Sequence, residues 1–385
     1  SMNNGGRTTS TMIGTDFAWE NGRGKYDAGR FEVGGNLLYL RNDNHTETIS
    51  SVENFVTATQ KGSFDAAHAY ANSLSQAVHA RLRLKWNPDS LTQLSFRPSY
   101  EWSRGRTNGN SRSATFDVDP FNRYGVSSVD EVLGRVHTTR FVGDTVRVAD
   151  SFLKNVNTRY DLSRTTTHKV EGDLNLTRLI GGRNGRNIAF EASGGYTNTA
   201  NDAYSRADLY KRVAADATGP RMAAGGTHQY TDRPSTSWNY RVGLSYVQPL
   251  ARKIFLETRY SFQHKYTDGD RSLYNLMSLD GYSTLADFLS AHTQLGTVSQ
   301  LYVPGTDGVI DWLDPAQLLS RLNADDVQAA VRDAQNSQYA TYRYDNHRVQ
   351  VGLRYNVGAV RLSAGVQLSP ERTRLQYERA AIGRI

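Results

Sequence analysis

Val78-His79-Ala80-Arg81-Leu82-Arg83-Leu84-Lys85-Trp86, then a turn at Asn87-Pro88-Asp89-Ser90, then Gln93-Leu94-Ser95-Phe96-Arg97-Pro98-Ser99-Tyr100-Glu101-Trp102, is the stretch that decides the fold class. The even positions are almost all apolar or aromatic and the odd ones polar or charged. This is the period of a strand whose two faces meet different surroundings. The turn between the runs is built from residues that favour tight reversals.

The same arrangement recurs down the chain. Val170, Gly172, Leu174 and Leu176 oppose Lys169, Glu171, Asp173 and Asn175, and after Gly181-Gly182-Arg183-Asn184-Gly185 come Ile188, Phe190, Ala192, Gly194 and Tyr196. Trp238, Tyr240, Val242, Leu244 and Tyr246 lead through Pro249 into Ile254, Leu256, Thr258, Tyr260 and Phe262. Val349, Val351, Leu353 and Tyr355 turn at Asn356 to Ala359 into Val360, Leu362, Ala364, Val366 and Leu368. A less regular pair, Ile13, Phe17 and Trp19 with Phe31, Val33, Leu37 and Tyr39, opens the chain. Roughly ten strands in five hairpins are expected, as an all-β antiparallel transmembrane β-barrel or part of a larger one.

Between hairpins the connections, near 57–70, 107–162, 200–234 and 268–338, are long and polar. Short turns at one end and long loops at the other are the asymmetry of outer-membrane barrels, whose loops face the exterior. A soluble sandwich or propeller does not segregate its connections in this way. Two pieces of the last connection have helical spacing: Asp314-Pro315 with Leu318, Leu319 and Leu322, and Asn323 capping Ala324 to Ala334. External loops are where recognition sits, so 107–162 and 268–338 are the candidate recognition regions.

Aromatics fall where two membrane interfaces would lie. Trp86, Tyr246 and Tyr355 stand beside short turns, and Trp102, Tyr196 and Trp238 lie further along the same face. A tilted strand crosses the bilayer in about 9–11 residues, so these six are the expected aromatic girdles. The intervening positions Arg81, Arg83, Arg97, Glu101, Lys169, Glu171, Asp173, Arg241, Glu257, Arg259 and Arg354 then face the lumen. They form either a self-paired polar wall or a contact surface for a plug or solute.

Bulk properties agree with a strand-built membrane protein. Mean hydropathy is -0.59 and 22% of residues are charged, and no run approaches the ~20 apolar residues a spanning helix needs. In a barrel only alternate strand residues touch lipid. The net charge of +7 comes almost wholly from arginine. These arginines alternate with apolar residues instead of forming one basic patch, so a polar lumen is expected and nucleic acid is not. Without cysteine there is no disulfide framework or thiolate metal site, and the nine histidines show no ligand spacing. Neither a Gly-rich phosphate loop, a His-Glu-x-x-His pattern nor a serine elbow appears. Asp268-Gly269-Asp270 lacks the ligand spread of a calcium loop. No enzyme activity, metal or cofactor is expected.

The succession Leu82 to Ser90, Ser95-Phe96-Arg97-Pro98-Ser99-Tyr100, Ser113-Ala114-Thr115-Phe116-Asp117-Val118-Asp119-Pro120 and Ser237-Trp238-Asn239-Tyr240 resembles the outer membrane protein beta-barrel family of Bacteroidetes, close to the TonB-dependent receptors. That resemblance implies a cell outer-membrane receptor of a Gram-negative bacterium, with a plug energised through TonB inside a barrel of about 22 strands. With no signal-like start, no plug, no N-terminal sandwich and about half those strands, residues 1–385 are expected to be the barrel portion alone. The expected partners are outer-membrane lipid, the plug and TonB system, and an unidentified solute. The alternative expectation is a structural or adhesive surface protein whose loops bind a host glycan or protein.

Overall fold

A computed structural model of the chain describes residues 2–24, 26–55, 61–136, 138–139, 145–148, 151–181, 185–216, 219–275, 302–304, 310–312, 332–357 and 360–379. Its strands are β1 (Met2–Glu20), β2 (Arg30–Phe55), β3 (Lys61–Asp89), β4 (Thr92–Phe116), β5 (Thr138–Thr139), β6 (Thr145–Val148), β7 (Leu153–Leu179) and β8 (Asn187–Asp216). They continue as β9 (Gly219–Asp232), β10 (Ser235–Ala251), β11 (Ile254–Asn275), β12 (Tyr302–Pro304), β13 (Ile310–Trp312), β14 (Gln338–Val357), β15 (Val360–Leu368) and β16 (Glu371–Arg379). Two short helices, α1 (Pro120–Tyr124) and α2 (Val129–Arg135), lie between β4 and β5.

Fourteen of these strands form one antiparallel sheet, and β12 with β13 forms a separate ribbon. Two breaks in the main sheet occur at prolines, which have no N–H to give to a ladder. β9 and β10 both lie against β8, and the register runs unbroken from Asp202↔Asp232 to Thr199↔Ser235 across Pro234. β15 and β16 likewise both lie against β14, continuous from Val349↔Leu368 to Asn346↔Glu371 across Pro370. Each pair is therefore one interrupted strand. The sheet reduces to a meander of ten long strands, each hydrogen-bonded to its sequence neighbours, with the β5–β6 ribbon attached through β9.

The registers put the alternating apolar residues of every strand on one face. Ile13 pairs with Tyr39, and Tyr39 with Val78. Val78 pairs with Trp102, Leu84 with Phe96, and Phe96 with Leu174. Leu174 meets Ala192, Ala192 meets Val242, and Val242 meets Phe262. Leu256 meets Leu353, and Leu353 meets Ala364. The opening pair is as regular as the rest. Ladder hydrogen bonds fix the register, and a period of two then fixes the face. This face is uncovered: Leu353 is 50% exposed and Val366 69%. Monomeric soluble proteins rarely leave so large a contiguous apolar area in water. Among the described residues no pairing joins β1 to β15 or β16, so the sheet has two free edges.

Close backbone approach explains one glycine in the band. A Cβ on Gly35 would stand 2.6 Å from the Arg81 carbonyl oxygen and 2.8 Å from Leu82 Cδ2. Beside it the β3–β4 ladder is interrupted between Arg81↔Ser99 and Leu84↔Phe96, at Pro98.

Where they are described, the connections expected as loops are largely sheet. β8 has 30 residues, which at about 3.3 Å each runs roughly 100 Å, whereas about 9–11 tilted residues cross a bilayer. Strand occupies 61–70, 107–116, 153–162, 200–216, 219–232 and 268–275. Outside the patch covered by the helices, polar residues on both faces erase the alternation there, while backbone pairing continues. The helical spacing expected from Asp314 to Val331 lies outside the described residues; beyond it, Arg332 forms a β-bridge to Tyr274 and Ala334 lies in a turn.

The helices form a cap where β2, β3, β4, β7 and β8 reach their far ends. Asp119 caps α1 by accepting from the Phe121 N–H at 2.9 Å, with Pro120 in its first turn and Gly125 at φ 66° ending it. Ser128 and Glu131 start α2 with a capping box. Val129, Val132 and Leu133 then bury against Phe64, Phe116, Leu153, Val156 and Tyr210. Phe64 lies an even number of residues from Val78 along the unbroken β3 register, so the cap occupies the same face as the apolar band, beyond its end.

Asp117 ties the cap down, ion-paired to Arg212 and to Lys154 Nζ at 3.1 Å. Burial opposes its ionisation, but hydrogen bonds from Arg212 and Lys154, with their charge, hold the carboxyl below its ordinary range. A depressed pKa contributes stability above the unfolded value, and that contribution is lost as pH falls through the folded pKa. The protection of the α1 and α2 amides, taken relative to the intrinsic exchange rate at each pH, is expected to fall on acidification, and less steeply in Asp117→Asn. Identical pH profiles for the two proteins would refute this role.

Candidate functional site

The charged face behind the apolar band is built by the same registers. Across β3, β4 and β7, Arg81 lies opposite Ser99 and Ser99 opposite Glu171, while Arg97 lies opposite Asp173 and Glu101 between His79 and Lys169. Arg83 lies opposite Gly34 of β2. Across β8 to β15, Arg241 sits between Ser193 and Gln263, Arg259 opposite Gln350, Glu257 opposite Gly352, and Arg354 opposite Ser363. By register parity these eleven residues lie on the face opposite the apolar band.

They divide into paired and unpaired groups. Lys169 meets Glu171 at 2.9 Å, His79 meets Glu101 at 3.5 Å, Arg259 meets Glu191 at 3.1 Å, and Arg354 pairs with Glu257. Exposed pairs of this kind contribute about 0–1 kcal/mol each. Among the described residues Arg81, Arg83, Arg97, Arg241 and Asp173 make no ion pair. Arg81, Arg83, Arg97, Glu171 and Asp173 line one groove with Asn36 and Ser99. Three arginines beside three carboxylates, Asp16 being the third, form a mixed-charge surface that can meet a polar or charged partner group through guanidinium hydrogen bonds.

The six expected girdle residues all lie on the apolar face. Trp86 pairs with Phe31 and Leu94, Tyr246 with Ile188 and Thr258, and Tyr355 with Ile254 and Leu362, all near the short turns. At the other end Trp102 stands between Val78 and His168. Tyr196, Trp238 and Tyr266 form one row, with Trp238 and Tyr266 ring centres 5.7 Å apart.

Histidines join this outer row, which sequence reasoning left scattered. His168 and His347 accept or donate at 3.0 Å with the Tyr100 and Tyr260 hydroxyls, and His264 packs 4.7 Å from Trp238. Each continues the apolar parity of its strand past Val170, Val349 or Phe262, and that parity was the available signal. Glu191, the partner of Arg259, had none, because its role depends on a register the sequence does not display.

Further out, Asp202 and Asp232 face one another across β8 and β9. Burial raises the Asp232 carboxyl above its ordinary value, and the nearby charges of Asp202 and Asp270 raise it further. Arg164 neutralises Asp202 through contacts of 2.9 and 2.6 Å. Burial also raises the neighbouring Tyr230 phenol. Among the described residues no group of histidine and carboxylate side chains has metal-binding geometry. The expected recognition region 107–162 contains the α1–α2 cap, and 276–301 of the other lies outside the described residues.

Comparison of the chain with family models, with curated proteins and with solved structures finds no match.

Proposed function

We propose that this chain is the barrel portion of a TonB-dependent-receptor-like protein of the Gram-negative outer membrane, taking part in binding or uptake of a solute. The observation carrying this reading is the uncovered apolar band, continuous across ten neighbouring strands, bordered by aromatic rows and backed by a charged face. Lipid would cover the band, since a strand-built span satisfies its backbone within the sheet. The groove of Arg81, Arg83 and Arg97 would face the lumen and meet a plug or solute. The free edges at β1 and at β15–β16 suit a wall completed by further strands.

A second reading is supported by the long wet extension and its helix cap: a surface protein in which the band anchors a display platform for a host glycan or protein. Both readings place the chain in lipid, so refolding from urea into phosphatidylcholine vesicles tests their common ground. The protein is expected to float with the vesicles and resist carbonate extraction. A chain that stays in the aqueous fraction without detergent would overturn both. Solute retention by the refolded protein then separates uptake or binding from display.

A further inference from the structure

On the apolar face, the outer aromatic row runs Tyr196, Trp238, Tyr266 by direct register and continues through Arg343 of β14 to Arg374 of β16. The Arg343 guanidinium lies 5.4 Å from the centre of the Tyr266 ring, and Arg372 follows on the same face, opposite Asp345.

Two arginines directly opposite one another on a sheet repel unless a counter-charge lies between them. The nearby carboxylates are engaged elsewhere. Asp345 Oδ1 contacts His264 Nδ1 at 2.5 Å, and Asp268 Oδ2 accepts from the Tyr339 hydroxyl at 2.9 Å. No ion pair to Arg343, Arg372 or Arg374 occurs among the described residues. The same edge strand runs Val360, Leu362, Ala364, Val366 and Leu368 on this face immediately before Pro370 and the two arginines. A chain lying in lipid up to Leu368 and Trp238 therefore presents its arginines at headgroup depth.

We propose that Arg343, Arg372 and Arg374 bind the phosphate of an anionic lipid headgroup whose acyl chains lie along the Val360–Leu368 side of the band. The forked guanidinium donors match phosphate oxygens bidentately, and stacking on Tyr266 fixes Arg343 in place. This inference rests on the membrane reading above.

The test holds the full chain in neutral maltoside micelles and titrates short-chain phosphatidylglycerol, with native mass spectrometry as the affinity readout and tryptophan fluorescence, compared with that of W238F, as the local one. A basic residue near a membrane surface changes affinity for anionic lipid by about fivefold, so R343Q/R374Q is expected to weaken binding by roughly 25-fold. Arg361, opposite Asn356 and between Val360 and Leu362, lies on the same face as Arg241, and R241Q/R361Q, which removes equal charge from that face, is expected to leave affinity unchanged. Equal losses in both double variants, or none in R343Q/R374Q, would overturn the site. Inorganic phosphate is expected to compete only weakly; competition at the concentration of the lipid would make this a free-anion site and overturn the lipid assignment. Failure of the membrane reading shows separately, as a chain that does not float with phosphatidylcholine vesicles.

Discussion

Leu174→Arg is expected to lower the stability of the lipid-inserted chain by about 2–4 kcal/mol, the cost of an arginine near the midplane on a barrel's lipid face. Leu174 pairs with Phe96 on one side and Ala192 on the other, near the middle of the apolar band. No aqueous region lies within easy reach of its side chain. Asn175→Arg, one residue along, turns the same charge to the opposite face, between Ser95 and Glu191. That face already carries charged side chains, among them the Glu191–Arg259 pair, and the change is expected to stay within about 0.5 kcal/mol. Urea titration of both variants refolded into phosphatidylcholine vesicles measures the difference. Equal effects would mean that the two faces meet the same solvent, and the band would need another covering.

Phe116→Ala is expected to cost the cap about 3–5 kcal/mol, the range for emptying a buried aromatic site. Phe116 is 0% exposed, with Tyr124 6.2 Å and Phe152 5.9 Å from its ring centre. The loss should stay local. The cap touches the sheet only at the far ends of its strands, and regions with separate contacts open separately. Limited proteolysis is expected to cut near α1 and α2 much faster in the variant, while amides of the band keep their exchange protection. Loss of protection throughout the band would show the cap and the band to be one cooperative unit.

The band was readable because apolar and polar side chains alternate residue by residue between the two faces, which writes a period of two into the sequence. Val78 to Trp102 and Val349 to Leu368 therefore yielded strand, face and partner together. The extension was not readable, since residues such as Ser73, Asn108 and Thr165 meet water on either face and leave no period. Its strands form because the ladder begun in the band carries on in register, a tertiary cause without a local trace. α1 escaped notice although its cap, Asp119-Pro120, was present, because five residues are too few to show a helical stripe. The groove was half readable. Which residues face it follows from parity, whereas Arg259 finding Glu191 while Arg97 makes no ion pair among the described residues depends on side-chain reach across neighbouring strands.

The unbroken registers have a consequence for how such a chain can change length. β2 and β3 pair without a slip from Arg30↔Asn87 to Asn54↔Ser63. Inserting or deleting one residue inside that span would exchange the side chains of the two faces for the remainder of the strand, whereas a change of two would only slide it. Length variation within the band is therefore quantised in pairs. Single-residue variation is expected in the turns and in the part of the extension outside the helix cap, where both faces are polar. Sequences related to this one should show odd-length gaps only in those places.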